Sequence, residues 1–149
     1  MRKIFILVLL FPFYAFADTA AGITALNAGQ YEKAYIEFKA ASESGDADAH
    51  YQLGLMFQEG QHVEKQDFDA LLHFEKAGHL GHIDAMREAI RYHLNGWGVI
   101  PNRALAAIWI KLSADANPKK YLNQFKRFYG KLTTYERIEY EERLERKRY

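Results

Sequence analysis

The sequence predicts an all-α solenoid of antiparallel helix pairs, with about eight helices. A pattern of 36 residues occurs twice between Tyr31 and Asn102, and apolar residues recur at helical spacing within each copy. No segment has a convincing strand pattern. Self-similarity at a period of this size is typical of solenoids, in which each unit buries its apolar face only against its neighbours.

Alignment of the two copies gives eight identities in 36 positions, whereas ordinary composition would give roughly two. A third, more divergent copy follows, with Ala106, Ile110, Ser113 and Asn117 in register. The identical pairs are Ala34 with Ala70, Phe38 with Phe74, Ala41 with Ala77, Gly45 with Gly81, Asp48 with Asp84, Ala49 with Ala85, Gly60 with Gly96, and Val63 with Val99.

Each copy predicts two helices whose apolar stripes face each other. In the first copy the stripes end at Gly45 and Gly60, where a residue that tolerates positive φ suits the reversal of the chain. Near the C-terminus, Thr133 and Glu136 form a capping-box pattern. The predicted helices span residues 19–28, 31–44, 47–59, 67–80, 83–95, 103–116 and 120–129, and a last helix begins at Thr134.

Two segments, residues 48–60 (DAHYQLGLMFQEG) and 67–77 (DFDALLHFEKA), closely resemble the Sel-1-like repeat, a relative of the tetratricopeptide repeat. The linker 96–99 (GWGV) is similar to the glycine-rich linker of that family. The resemblance covers about residues 20–117 and implies a right-handed solenoid. Ile90 stands where Gly54 stands one repeat earlier, which indicates a divergent final repeat.

The N-terminus predicts a cleaved export signal, residues 1–17. Arg2 and Lys3 precede an apolar run of 13 residues that ends with the small residues Ala15 and Ala17, and a membrane-spanning helix needs about 20. We therefore expect a periplasmic or secreted protein with no membrane association after cleavage. The mature chain, 18–149, is predicted to be a single repeat domain with units near 31–66, 67–102 and 103–129 and a capping helix at 134–147.

Charge is distributed unevenly along the mature chain. Residues 18–118 hold 8 basic and 14 acidic side chains, whereas residues 119–149 hold 10 basic and 5 acidic ones. Such polarity can steer a partner or favour end-to-end pairing, so we expect a monomer or weak self-association. The basic tail resembles a nucleic-acid patch by charge only, and its five glutamates and the export signal argue against nucleic acid.

Catalytic patterns are absent from the sequence. There is no cysteine, and the three serines, Ser42, Ser44 and Ser113, lie at or near predicted helix ends without a nucleophile-elbow motif. We therefore predict no catalytic residues and no cofactor.

His79 and His82 have a spacing that suits a metal ion, and His73 and His93 are candidates for further ligands. Glu43 and Asp46 occupy the same two turn positions one repeat earlier. That register indicates a solvated turn, so no metal is predicted.

The family resemblance implies a scaffold for protein–protein interaction that binds a protein or peptide in its concave face. Members of the family occur as adaptors, envelope regulators, host-interaction factors and neutralising partners of toxins. The alternative is an enzyme that acts on cell-wall or host material, for which no catalytic residues can be named.

By the same resemblance, the first helix of each pair lines the concave face. The groove would be apolar at its start and basic toward its end, which suits a peptide with a hydrophobic anchor and an acidic segment or C-terminal carboxylate. The alternative is that the two arginines of the second unit only pair with Asp84 or Glu88. The predicted binding residues are Tyr51, Leu55, Arg87, Arg91, Asn123 and Arg127.

The last predicted helix has two apolar sides. Tyr135 and Ile138 lie on one side, and Tyr140 and Leu144 lie on nearly the opposite one. The helix is either a polar cap that ends the solenoid or a second contact surface, in which Tyr140 and Leu144, with Tyr149, touch a partner.

Overall fold

A computed structural model describes residues 19–146, and within that range the chain consists of helices and connecting turns without a strand. The all-α fold class with eight helices is thereby confirmed. The predicted signal at residues 1–17, the end of the predicted cap at residue 147 and the proposed contact at Tyr149 lie outside the described residues. The helices are α1 (Thr19–Asn27), α2 (Tyr31–Glu43), α3 (Ala47–Glu59), α4 (Asp67–His79), α5 (Ile83–Asn95), α6 (Arg103–Ala116), α7 (Pro118–Tyr129) and α8 (Thr134–Arg146).

The helix ends follow the local sequence signals. Gly60 and Gly96 end α3 and α5 in the left-handed region, with φ of 72° and 74°, a conformation that costs a residue with a Cβ. The capping box is confirmed at α8, where Thr133 N–H donates to Glu136 Oε2 at 2.7 Å and Glu136 N–H donates to Thr133 Oγ1 at 3.3 Å.

The helices form two layers, because each second helix of a pair packs against the first helix of its own pair and of the next. Helix α4 packs against α3 and α5, and α6 packs against α5 and α7. The first helices α1, α3, α5 and α7 make one layer, and the second helices α2, α4 and α6 make the other. Helix α8 packs directly on α6.

Small residues let the layers approach closely, and phenylalanine rings fill the remaining space. Phe38 and Phe74 are fully buried, and a Cβ added at Gly22 or Gly54 would lie 2.4 Å or 2.5 Å from the nearest ring atom of its phenylalanine. One repeat later, isoleucines replace both Gly54 and Phe74. The divergence of the final repeat is thus a paired exchange of a glycine and an aromatic ring for two branched aliphatic side chains.

Helix α8 contradicts the expectation that Tyr140 touches a partner. The Tyr140 side chain is 3% exposed and packs with Ala104, Ile108 and Leu132, with Leu144 half-buried beside them. Burial raises the pKa of Tyr140 to about 12. The apolar side that faces solvent is instead the one with Tyr135 and Ile138.

None of the helices in residues 19–146 is long and apolar enough to cross a bilayer.

Candidate functional site

The surface made by α1, α3, α5 and α7, called here the first-helix surface, begins with a cleft whose lining is partly apolar. Leu55 is half-buried and lines this cleft of about 180 Å³ together with Leu26 and Tyr31. The polar residues that line it are Gln52, Glu59 and Gln61. Tyr51 lies toward α5, where its ring stacks on His82 at a centroid distance of 4.3 Å. Tyr51 packs against the core cluster of α4 and α5, and this burial raises the pKa of its phenol. The Tyr51 ring is therefore part of the packing, and Leu55 is the residue that lines the cleft.

A second cleft, of about 50 Å³, lies between α5, α6 and α7. Its apolar wall includes Ile90 and Ile110, the two residues that replace the glycine and phenylalanine of the preceding unit. Arg87 lines the cleft with a side chain that is 60% exposed and pairs with Asp84 at 3.0 Å. An exposed pair of this kind contributes little to stability, so the Arg87 guanidinium can exchange Asp84 for another carboxylate.

Arg91 differs from Arg87 because its partner is buried. Its Nη1 donates to both carboxylate oxygens of Glu88, at 2.8 Å and 3.1 Å, and Glu88 is only 7% exposed. The guanidinium also lies over the ring of Trp97 at 5.3 Å. The pairing considered from the sequence is present for both arginines, and for Arg91 it neutralises a buried carboxylate.

Helix α7 is the basic end of the surface. Asn123 is exposed, and Arg127 lines a cleft of about 220 Å³ with Phe128 and Lys131. Across residues 19–146, no salt bridge involves any of the five basic residues of this segment, which are Lys119, Lys120, Lys126, Arg127 and Lys131. Their positive charge is therefore available to an acidic ligand.

The histidines weighed as metal ligands have separate structural roles. His82 caps α5, because its Nδ1 accepts from Ala85 N–H at 3.1 Å, and its Nε2 lies 3.3 Å from Asp48. Asp46 has the same capping role at α3. The repeat register therefore predicts correctly that positions 46 and 82 are equivalent, but it does not predict that they cap a helix. His79 packs on the Trp109 ring at 4.7 Å.

Two other histidine contacts were missed in the sequence. His73 Nδ1 lies 3.1 Å from His50 Nδ1, and burial, together with the neighbouring His50, lowers the pKa of His73 to about 4. His93 pairs with Glu75 at 2.8 Å. In the part of the chain that the structure describes, no three histidine, aspartate or glutamate side chains are grouped to hold a metal ion.

The serines make local hydrogen bonds to the helix backbone. Ser113 Oγ donates to the Trp109 carbonyl at 2.9 Å, and Ser42 Oγ donates to the Lys39 carbonyl at 2.8 Å. Such bonds are the usual ones for a serine inside a helix, and neither serine is paired with a histidine among the contacts of residues 19–146.

Comparisons with known proteins agree with this architecture. The family model described as Sel1 repeat matches residues 47–82 and 87–118. No curated protein matches the sequence.

Three solved structures share the fold, and their low sequence identities support a shared fold only. A protective antigen of uropathogenic Escherichia coli with an SLR fold is 20% identical, with a TM-score of 0.69 over 83% of this chain and 27% of that one. A Sel1 repeat protein from Oxalobacter formigenes is 22% identical, with a TM-score of 0.65 over 82% and 54%. Helicobacter pylori cysteine rich protein B is 17% identical, with a TM-score of 0.58 over 70% and 85%.

The chain spans about a quarter of the length of the first of these proteins and about half of the second. Their size differences are those expected of repeat arrays, which grow by adding units. The chain thus contains two Sel1 repeats, at residues 47–82 and 87–118, within a helical-repeat fold that Sel1/SLR proteins share.

Proposed function

We propose that the mature chain is an exported, non-enzymatic scaffold that binds a protein or peptide on the first-helix surface. Proteins built from Sel1 repeats are in general protein-interaction scaffolds and are typically not enzymes. The chain's own residues support this role through the change in chemistry along the surface, from the partly apolar cleft at Leu55 to the basic helix α7.

That gradient defines the partner by its chemistry. An apolar side chain of the partner would enter the cleft at Leu55, and carboxylates would follow toward Arg87 and Arg127. Arginine grips a carboxylate through two parallel hydrogen bonds, which suits an acidic segment or a C-terminal carboxylate. The single observation that supports this proposal most strongly is the set of basic side chains on α7 and the turn after it that make no salt bridge among the described residues.

The contributions of the predicted residues then differ. Arg127 and Asn123 are exposed and offer donors, and Arg87 must first release Asp84. Arg91 is engaged with the buried Glu88 of its own helix and with the ring of Trp97, so it would contribute to the stability of α5 and its linker more than to partner binding. Tyr51 is engaged with His82 and would form part of the floor.

The experiment is affinity capture of partners from a periplasmic or culture extract, followed by affinity measurement with single variants. Arg127→Ala and Arg87→Ala should each weaken binding by about 1–3 kcal/mol, the usual size of an interface hot spot, at unchanged melting temperature. The matched control is Lys39→Ala, an exposed cation on α2. Equal affinity of all three variants would reject the first-helix surface as the binding site.

Export is tested separately. Because Ala15 and Ala17 end the apolar run, cleavage is expected after Ala17 and the product should begin at Asp18. Intact-mass measurement of the exported protein checks this expectation. A product that retains residues 1–17 and stays with the membrane would contradict it.

A further inference from the structure

Helix α8 covers an apolar strip on the outer side of α6. Ala104 is fully buried and Ile108 is 3% exposed, and both belong to one cluster with Tyr140 of α8 and Leu132 of the preceding turn. Leu144, one turn after Tyr140, packs on the same cluster. The added helix α8 packs on this strip through two bulky apolar side chains four residues apart, Tyr140 and Leu144.

Polar contacts at the beginning of α6 fix the position of α8. Arg103 Nη1 donates to the Glu136 carboxylate at 3.1 Å, and Asn102 Nδ2 donates to Glu139 Oε1 at 2.8 Å. The Asn102 amide lowers the pKa of Glu139, as expected for a carboxylate stabilised in its charged form. A glutamate near the start of the added helix is thus matched to a cation at the start of α6.

Larger apolar side chains stand exposed at the equivalent positions of α4. One repeat earlier, Phe68 stands in place of Ala104 and Leu72 in place of Ile108, and these side chains are 58% and 39% exposed. The two helices occupy equivalent positions in the fold, with bounds that differ by 36 residues at their starts. We call Phe68 and Leu72, with Asp67 at their edge, the α4 strip.

The charge at the edge of the α4 strip is reversed. Asp67 stands in place of Arg103, Gln66 stands in place of Asn102, and Asp69 adds a second carboxylate to the first turn. A helix with a glutamate at the position of Glu136 would place two carboxylates together, which is unfavourable. A lysine or arginine at that position would complete the pair.

We propose that the α4 strip binds an amphipathic helix of a partner protein, with bulky apolar residues four positions apart against Phe68 and Leu72 and a basic residue near its start against Asp67. Helix α8 on α6 is the structural precedent for the packing, and the acidic edge selects the charge. The strip lies on the second-helix layer, so this interaction is independent of the first-helix surface and of the function proposed for it.

A synthetic peptide made from α8 provides the probe. The peptide comprises residues 133–146 with the change Glu136→Lys. It is cross-linked on the side opposite Tyr140, because an isolated helix of this length is marginal in water. The labelled peptide is titrated into the mature protein, and binding is measured by fluorescence anisotropy. This peptide should bind at least tenfold more tightly than the same cross-linked peptide with Glu136 unchanged. If the lysine peptide displaced α8 from α6, its lysine would lie beside Arg103, and the two positive charges would repel each other. Displacement of α8 therefore does not explain a preference for the lysine peptide.

Variants then locate the binding. Leu72→Ser should weaken the lysine peptide at least tenfold without changing the melting temperature, whereas Leu80→Ser, a change at a leucine of similar exposure beyond the end of α4, should have no effect. Asp67→Arg should reverse the preference between the two peptides. Failure of the lysine peptide to bind, equal binding of both peptides, or unchanged binding to Leu72→Ser would each overturn the proposal.

Discussion

The contact between Gly54 and Phe74 allows a quantitative prediction about the core. A Cβ at position 54 would lie 2.5 Å from Phe74 Cε1, whereas carbon atoms in contact are about 3.5–4.0 Å apart, so the ring would have to move by about 1 Å. The ring is fully buried between Tyr51 and Tyr92, at centroid distances of 5.8 Å and 5.6 Å. Gly54→Ala should therefore cost about 1–3 kcal/mol from overpacking, partly offset by about 1 kcal/mol of helix propensity.

The next repeat indicates the compensating change, because it has isoleucine at both equivalent positions, Ile90 and Ile110. Phe74→Ile alone should cost about 1–3 kcal/mol through lost packing, and the double variant with Gly54→Ala should lose about 1–2 kcal/mol less than the sum of the single variants. Urea unfolding of the mature protein, with unchanged m-values, measures all three. Additive losses, or a Gly54→Ala variant more stable by the full propensity term, would refute the clash.

Three further predictions concern stability. Leu53 is 2% exposed, so Leu53→Ala should lower the free energy of unfolding by about 2–5 kcal/mol; a loss below 1 kcal/mol in urea would contradict its place in the core. The pKa of His73 is lowered to about 4 in the folded state, so the unfolded chain binds the extra proton between pH 6.5 and 4. Stability should therefore fall by about 2–4 kcal/mol as the pH drops through that range, and His73→Gln should flatten the profile, whereas equal profiles would remove His73 as the cause. Arg91→Ala leaves the buried Glu88 carboxylate unpaired and should cost about 1–3 kcal/mol, with Arg87→Ala as the near-neutral comparison; equal melting temperatures would contradict the distinction.

The helices could be predicted because the signals that define them are local. Glycines such as Gly45 and Gly81 have positive φ, 83° and 97°, and the 36-residue period fixes which stripes are equivalent. The predicted starts of the first six helices agree with the structure, and their ends agree within one residue. Repetition also identified positions 46 and 82 as equivalent, and both cap a helix.

The site was harder to predict because it depends on which neighbour covers a side chain. Tyr140 and Ile138 are both apolar and lie on the same helix, and only the packing of α8 on α6 decides that Tyr140 is buried. The pairing of Arg91 follows from spacing, since Glu88 lies three residues before it, but the burial of Glu88 does not. The contact of His50 with His73 joins two helices, and no spacing along the chain reveals it.

Hydrogen exchange of the free and the partner-bound protein distinguishes binding on the first-helix surface from binding on the other faces of the solenoid. With a captured partner bound, peptides from α5 and α7 should exchange more slowly, and peptides from α2 should be unchanged. The Arg127→Ala variant should lose this protection at partner concentrations that saturate the wild type. Protection confined to α2 and α8, with α5 and α7 unchanged, would exclude the first-helix surface as the binding site.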